Sequence, residues 1–163
     1  MLALGTVVLG LVTAERLGEL MLARRNTARL LAAGGHEVSA SHYPLIVAMH
    51  ALWLASLWIM APGRPVNIPL LAVFALLQAG RAWVLGTLGR RWTTRIIVVP
   101  GEQLVRAGPF RWISHPNYVV VAGEIACLPM VFGLPVPALV FTLLNAAVLW
   151  IRIRAEERAI RPS

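Results

Sequence analysis

Residues 108 to 118 read Gly-Pro-Phe-Arg-Trp-Ile-Ser-His-Pro-Asn-Tyr and run straight into an apolar stretch. Pro116 has no N–H and a fixed φ, so it suits the first turn of a helix, with His115 at the helix entrance. Free backbone N–H groups there favour a carboxylate or another anion. Tyr118 brings an amphipathic ring to the interface, and Arg111 adds a fork of donors just outside. Farther along, Arg152 and Glu156 are spaced i, i+4, and Arg154 and Glu157 continue the same turn. A lone interfacial His is a capping residue and a lone Tyr an aromatic-belt residue. Their combination with a guanidinium and two carboxylates is what points to a ligand.

Such a site pairs cationic and anion-binding groups with carboxylates, aromatic rings and a lipid-facing wall. S-adenosylmethionine fits, with a zwitterionic amino-acid end, a ribose diol for a carboxylate, and an adenine ring. On composition alone, a nucleotide or a phospholipid headgroup fits equally.

The elements that hold these residues follow from composition. The chain has 163 residues, 58% hydrophobic and 13% charged, with a mean hydropathy of +0.73. A soluble domain carries about 25% charged residues, so the bilayer is the expected solvent and residues 1–163 the expected single domain. Spans of about 20 apolar residues are predicted at 2–23, 43–61, 68–88, 116–133 and 135–152. The fold class is therefore read as an all-α integral membrane protein with five transmembrane helices, residues 1–23 being a retained helix and not a removed signal peptide. Phe132-Gly133-Leu134-Pro135 turns the fourth helix into the fifth, so the entrance of one lies beside the exit of the other. That places His115, Tyr118, Arg152 and Glu156 together. All 15 basic residues are Arg and all 7 acidic ones Glu. Twelve Arg fall after the first, third and fifth spans and Arg64 alone on the opposite side. The N-terminus is thus expected outside and the C-terminus in the cytoplasm. Net charge of +8 is read as orientation signal; no nucleic-acid partner is expected.

Between the third and fourth spans, Arg95–Val99 and Gln103–Arg106 are short β-prone runs joined by Pro100-Gly101, residues that suit a type II turn. A small cytoplasmic hairpin is predicted. The connection Asn26–His42 is expected to be a polar loop ordered against the membrane face. Within the spans, Glu15, Arg16, Glu19, Arg81, Glu124 and Asn145 are costly residues that need partners. By rise per residue, Glu15, Arg81, Glu124 and Asn145 fall roughly 10–12 Å below one membrane boundary. Arg16 and Glu19 can pair along their helix, whereas Arg81 and Glu124 stand alone on theirs and are candidate catalytic residues in a substrate pocket. The single Cys127 excludes an internal disulfide. His36, His42 and His50 match no usual zinc spacing, and no metal is expected.

Gly108-Pro109-Phe110-Arg111, His115-Pro116-Asn117-Tyr118 and Arg152-x-x-x-Glu156-Glu157, preceded by Leu104-Val105-Arg106-Ala107, resemble the signature of the isoprenylcysteine carboxyl methyltransferase family. The first half, with Glu15-Arg16-x-x-Glu19, Arg25-Asn26, Gly34-Gly35-x-Glu37-Val38 and His42-Tyr43-Pro44, is similar to a bacterial branch associated with methylating type III polyketide products such as alkylpyrones. The resemblance implies S-adenosylmethionine bound at the cytoplasmic ends of the last two helices. His115, Tyr118, Arg152, Glu156 and Glu157 match or adjoin motif positions, Leu104 and Val105 would lie near the adenine, and Arg111 would stand in for the Arg that many members place where this chain has Ser114. It also implies a bacterial inner-membrane protein whose partners are membrane lipids and a lipophilic acceptor. The expected reaction is in-line methyl transfer to an oxygen of an alkylpyrone or a prenylcysteine carboxylate, with Arg81 holding the anionic oxygen. The competing readings are N-methylation of a phospholipid or other amine, and a small membrane transporter or binding protein, which would carry inverted repeats not seen here.

Overall fold

The computed structural model describes residues 2–38, 43–103 and 105–160. These residues form five α-helices: α1 (Leu2–Ala32), α2 (Tyr43–Met60), α3 (Ile68–Leu88), α4 (Pro116–Val131) and α5 (Pro135–Ile160). Residues 39–42, with His42 of the sequence pattern, and Leu104 lie outside the described residues.

Local chemistry sets the helix ends. Asn67 caps α3, its Oδ1 accepting from the Leu70 N–H at 3.0 Å, and Pro69 sits in the first turn where no intrahelical N–H is needed. After α4, Gly133 takes a φ of 64° and its neighbours close back, with Leu134 N–H donating to the Pro129 carbonyl at 3.0 Å. α1 ends in the same way at Gly34, φ 89°, where Gly35 N–H donates to the Leu30 carbonyl at 2.9 Å.

Three of the five helices are long and apolar enough to cross a membrane: α2, α3 continued through Arg91, and α5 to Arg158. The expectation of five spans is corrected for two physical reasons. α4 has 16 residues, about 24 Å at 1.5 Å each and short of a hydrocarbon core of about 30 Å. α1 is long enough, but every 18-residue stretch of it holds at least three of its charged residues, Glu15, Arg16 and Glu19 among them. It also runs nine residues past the expected end at 23, taking up part of the predicted loop.

The predicted hairpin is corrected as well. Pro100-Gly101 does form the turn, with Gly101 at φ 79° and Glu102 N–H donating to the Val99 carbonyl at 3.2 Å. Yet Ile96–Val98 (β2) pairs antiparallel with His36–Val38 (β1) from the first connection, Glu37 opposite Ile97, and the described residues after the turn are not a strand. The fold is therefore helical with one two-stranded sheet. Arg95 reinforces the pairing through Glu37 at 2.7 Å and lies over the Tyr43 ring at 4.5 Å.

The core fills the half of the bundle away from this sheet, around Trp53, Leu57, Ile125, Leu128 and Phe132. A second cluster, Ala23, Val84 and Trp92, fixes the sheet end. There Asn26, 1% exposed, donates from Nδ2 to the carbonyls of Gly89 at 3.1 Å and Trp92 at 2.8 Å. Replacing it with Ala removes the side-chain donor from both carbonyls and leaves the Gly89 carbonyl only the Trp92 N–H at 3.2 Å. We expect Asn26→Ala to cost roughly 1–3 kcal/mol, read as a lower melting temperature of the detergent-solubilised protein, with an unchanged melting temperature arguing against the clamp.

Candidate active site

Pro116 begins α4 with His115 as the residue before it, and Tyr118 and Val119 N–H both return to the His115 carbonyl, at 3.1 and 3.4 Å. α5 runs antiparallel to α4 after the Gly133 turn, so its last two turns come level with this entrance. Tyr118 Oη donates to Glu156 Oε1, and Arg152 Nε donates to Tyr118 Oη at 2.7 Å while lying 3.5 Å from the same carboxylate oxygen. His115 Nδ1 is 3.5 Å from the other oxygen, Glu156 Oε2, and its ring stacks on Tyr118 with centroids 5.2 Å apart. Arg152 also donates from Nη1 to the Thr94 carbonyl at 2.8 Å, tying α5 to the chain that leads into β2. Burial pushes the Tyr118 phenol above its usual range, so it stays a neutral donor.

These side chains form one wall of a cavity of about 1150 Å³. β2 and its continuation, Ile96 to Val99, form an apolar wall, and Trp92 and Phe110 also line the cavity. Val105, Arg111, His115, Tyr118, Arg152, Glu156 and Glu157 all line it, so the structure brings together every described residue of the expected cofactor set. The Gly108 turn that presents Phe110 and Arg111 takes a φ of 55°, and a Cβ there would run into Thr87. Among the described residues Arg106 and Arg111 have no carboxylate partner and face the cavity, and Asn117, also in its lining, keeps a buried Oδ1 without a donor. Sequence reasoning missed Trp92 and Thr94, and it singled out Asn26 only as part of a family pattern; their roles rest on backbone carbonyls and long-range packing.

Arg81 and Glu124 lie elsewhere, below this cavity in a buried ion cluster. Arg81 binds both oxygens of Glu19 through Nε and Nη2 and donates from Nη1 to Glu124 Oε2 at 3.0 Å. Arg16 donates to the same Glu124 oxygen at 2.8 Å and to Glu19 at 3.3 Å. Glu15 accepts from Gln78 Nε2. Each guanidinium nitrogen of Arg81 thus donates to a carboxylate, and Arg81, expected at the substrate oxygen, is placed in this cluster with Glu124 and not in the lining of the cavity. Its one link upward is to Trp92, whose ring centre is 5.9 Å from the guanidinium carbon. Asn145 is buried at 2% exposure but forms no hydrogen bond to the cluster, and its Oδ1 lacks a donor. No group of three His, Cys, Asp or Glu that could hold a metal ion occurs among the described residues.

The sequence profile of the isoprenylcysteine carboxyl methyltransferase (ICMT) family matches residues 70–162, which include all of α4, α5 and the cavity wall between Trp92 and Glu157. An uncharacterized protein of Bacillus subtilis, YpbQ, is 36% identical over 160 residues, 95% of this chain and 95% of that protein. An uncharacterized protein of Haemophilus influenzae is 24% identical over 155 residues, 91% of this chain and 90% of its own length. No solved structure matches.

The ion cluster yields a stability prediction. Arg81→Met would leave Glu19 buried without its main cation and Glu124 with Arg16 alone, a loss of about 3–5 kcal/mol. The variant should melt well below the parent, and adding Glu19→Gln should recover part of the loss. No recovery in the double variant would show that the cluster is not a coupled unit.

Proposed function

The chain belongs to the isoprenylcysteine carboxyl methyltransferase family, a premise from which we propose that its cavity binds S-adenosylmethionine and transfers the methyl group to an oxygen of a lipid-dissolved acceptor. Family membership makes it a methyltransferase of a lipophilic acceptor, and three helices able to cross a membrane, with bacterial relatives, make it a bacterial membrane protein. The finer reading rests on one observation: His115, Tyr118, Arg152 and Glu156 converge from two helices on a cavity closed by an apolar strand.

S-adenosylmethionine fits this donor set. The unpaired Arg111 and Arg106 suit its carboxylate, Glu156, Glu157 and Asn117 Oδ1 offer acceptors for an ammonium and a ribose diol, and Val105 with the β2 residues suits a flat adenine. Leu104, the other residue expected near the adenine, lies outside the described residues. When bound, the cofactor supplies a methyl group on a sulfonium, already activated for displacement. Tyr118, held between Arg152 and Glu156, fixes the orientation of the Glu156 carboxylate, and His115 covers it from the loop side. The protein's contribution is alignment and exclusion of water, since an acidic enol or a carboxylate is ionised near neutral pH and needs no strong base. Arg81 and Glu124 we assign as support from beneath, through Trp92. The arginine-rich end of the bundle, which carries the cavity, would face the cytoplasm of a bacterial inner membrane.

Methyl transfer from labelled S-adenosylmethionine to an alkylpyrone or a prenylcysteine carboxylate tests this reading in reconstituted protein. His115→Ala and Glu156→Gln are each expected to lower kcat/KM by about 10- to 100-fold, or roughly 1.4–2.7 kcal/mol of transition-state stabilisation. Unchanged turnover in both would remove the cavity from the reaction. Cofactor affinity should show no inflection as pH passes about 10, the ordinary phenol pKa, because the raised Tyr118 pKa keeps its proton there. An inflection lost in Tyr118→Phe would contradict that. Turnover should be level above the acceptor's own acidic pKa, whereas a climb through an amine pKa would mark an N-methyl acceptor.

A further inference from the structure

α1 and α3 leave between them a groove of about 400 Å³ walled by Val8, Leu11, Val12, Leu71 and Phe74, with Glu15 and Gln78 one or two turns farther toward the arginine-rich end. Leu11 and Ala75 are exposed at its rim. The space is well over twice the roughly 150 Å³ that accommodates a benzene ring in an apolar cavity, and its shape along two helices suits a hydrocarbon chain. Its polar end has an unusual charge balance. Glu15, Glu19 and Glu124 bring three negative charges to the ion cluster, and Arg16 and Arg81 two positive ones. The Arg81 nitrogens go to Glu19 and Glu124, and both Arg16 Nη atoms do the same. Glu15, which lines the groove, is left with the Gln78 amide and a 3.8 Å contact to Arg81 Nε, while Gln78 Oε1 has no donor at all.

A carboxylate at membrane depth without a full counter-charge is costly, and a cation delivered along the groove would cancel it. We propose that this groove is a binding site for a single-chain amphiphile with a primary ammonium head, the tail along Val8, Val12, Leu71 and Phe74 and the head at Glu15. An ammonium supplies the missing positive charge and three donors, enough for Glu15 and the Gln78 oxygen together. A carboxylate or enolate head is repelled by Glu15, so this is a second site, distinct from the berth of an ionised methyl acceptor. Its occupation needs neither cofactor nor methyl transfer.

The test uses the full chain in phosphatidylcholine nanodiscs with three photoactivatable probes, an alkylamine, the matched fatty alcohol and the matched fatty acid, each carrying a diazirine in the tail. The amine should label peptides around residues 8–12 and 71–75 about tenfold more than the alcohol, the ratio that one charge-assisted hydrogen bond supplies, and the fatty acid least. Glu15→Gln should bring amine and alcohol to the same level. Ala75→Trp, at the exposed rim and away from every ion pair, should suppress labelling by all three probes in a protein that melts like the parent. Equal labelling by amine and alcohol in the parent, a preference surviving Glu15→Gln, or labelling undiminished in Ala75→Trp would each overturn the proposal. None of these outcomes depends on whether the protein transfers methyl groups.

Discussion

Arg152 donates in two directions at once, from Nε to the Tyr118 phenol on α4 and from Nη1 to the Thr94 carbonyl in the long connection. Those bonds join α5, α4 and the approach to β2 around a single guanidinium, and the cavity is the space they enclose. A planar, permanently charged fork is suited to this and a lysine is not, because a single ammonium lacks the separated donors that address two acceptors in fixed directions. Once Arg152 is placed, Glu156 one turn on is placed too, and Tyr118 settles between them as a neutral donor.

Beneath that tie the bundle carries a second polar assembly of opposite character. Glu19, Arg81 and Glu124 are buried, drawn from α1, α3 and α4, and Arg81 bonds to both carboxylates. In a hydrocarbon environment apolar contact alone discriminates poorly between helix registers, and a guanidinium that must meet two carboxylates on two other helices fixes one register. It also explains how α1 and α4, neither of them an unaided crossing, are held in a bundle with three helices that are. The cluster then reaches the cavity through the stacking of Arg81 on Trp92.

The sequence carried much of this and hid a definable part. Helix starts at Tyr43, Ile68, Pro116 and Pro135 were legible because Pro and Asn act on their own neighbours within one turn. The convergence of His115, Tyr118, Arg152 and Glu156 was legible because a four-residue turn at Phe132–Pro135 forces antiparallel helices. Two expectations failed, one where a long-range interaction outweighed a local one and one on local charge and length. The Pro100-Gly101 turn formed, but the strand before it found β1, some sixty residues earlier, in place of the segment after the turn. Apolar stretches around α1 and α4 looked like spans, but three charges in one and a short length in the other decide against it. Arg81 stood out correctly as needing a partner; that Glu19 would occupy it on both oxygens is a matter of helix rotation, which spacing does not encode.

The order of pieces around the cavity has a consequence for biogenesis. One wall needs β1, near residue 36, to meet β2, near residue 97, and the opposite wall is not locked until Arg152 arrives. During synthesis the early helices and the strand pair are therefore made long before the side chain that closes the ring. A nascent chain halted before the last helix would hold an open, unassembled pocket, so the pocket closes only once α5 has been made.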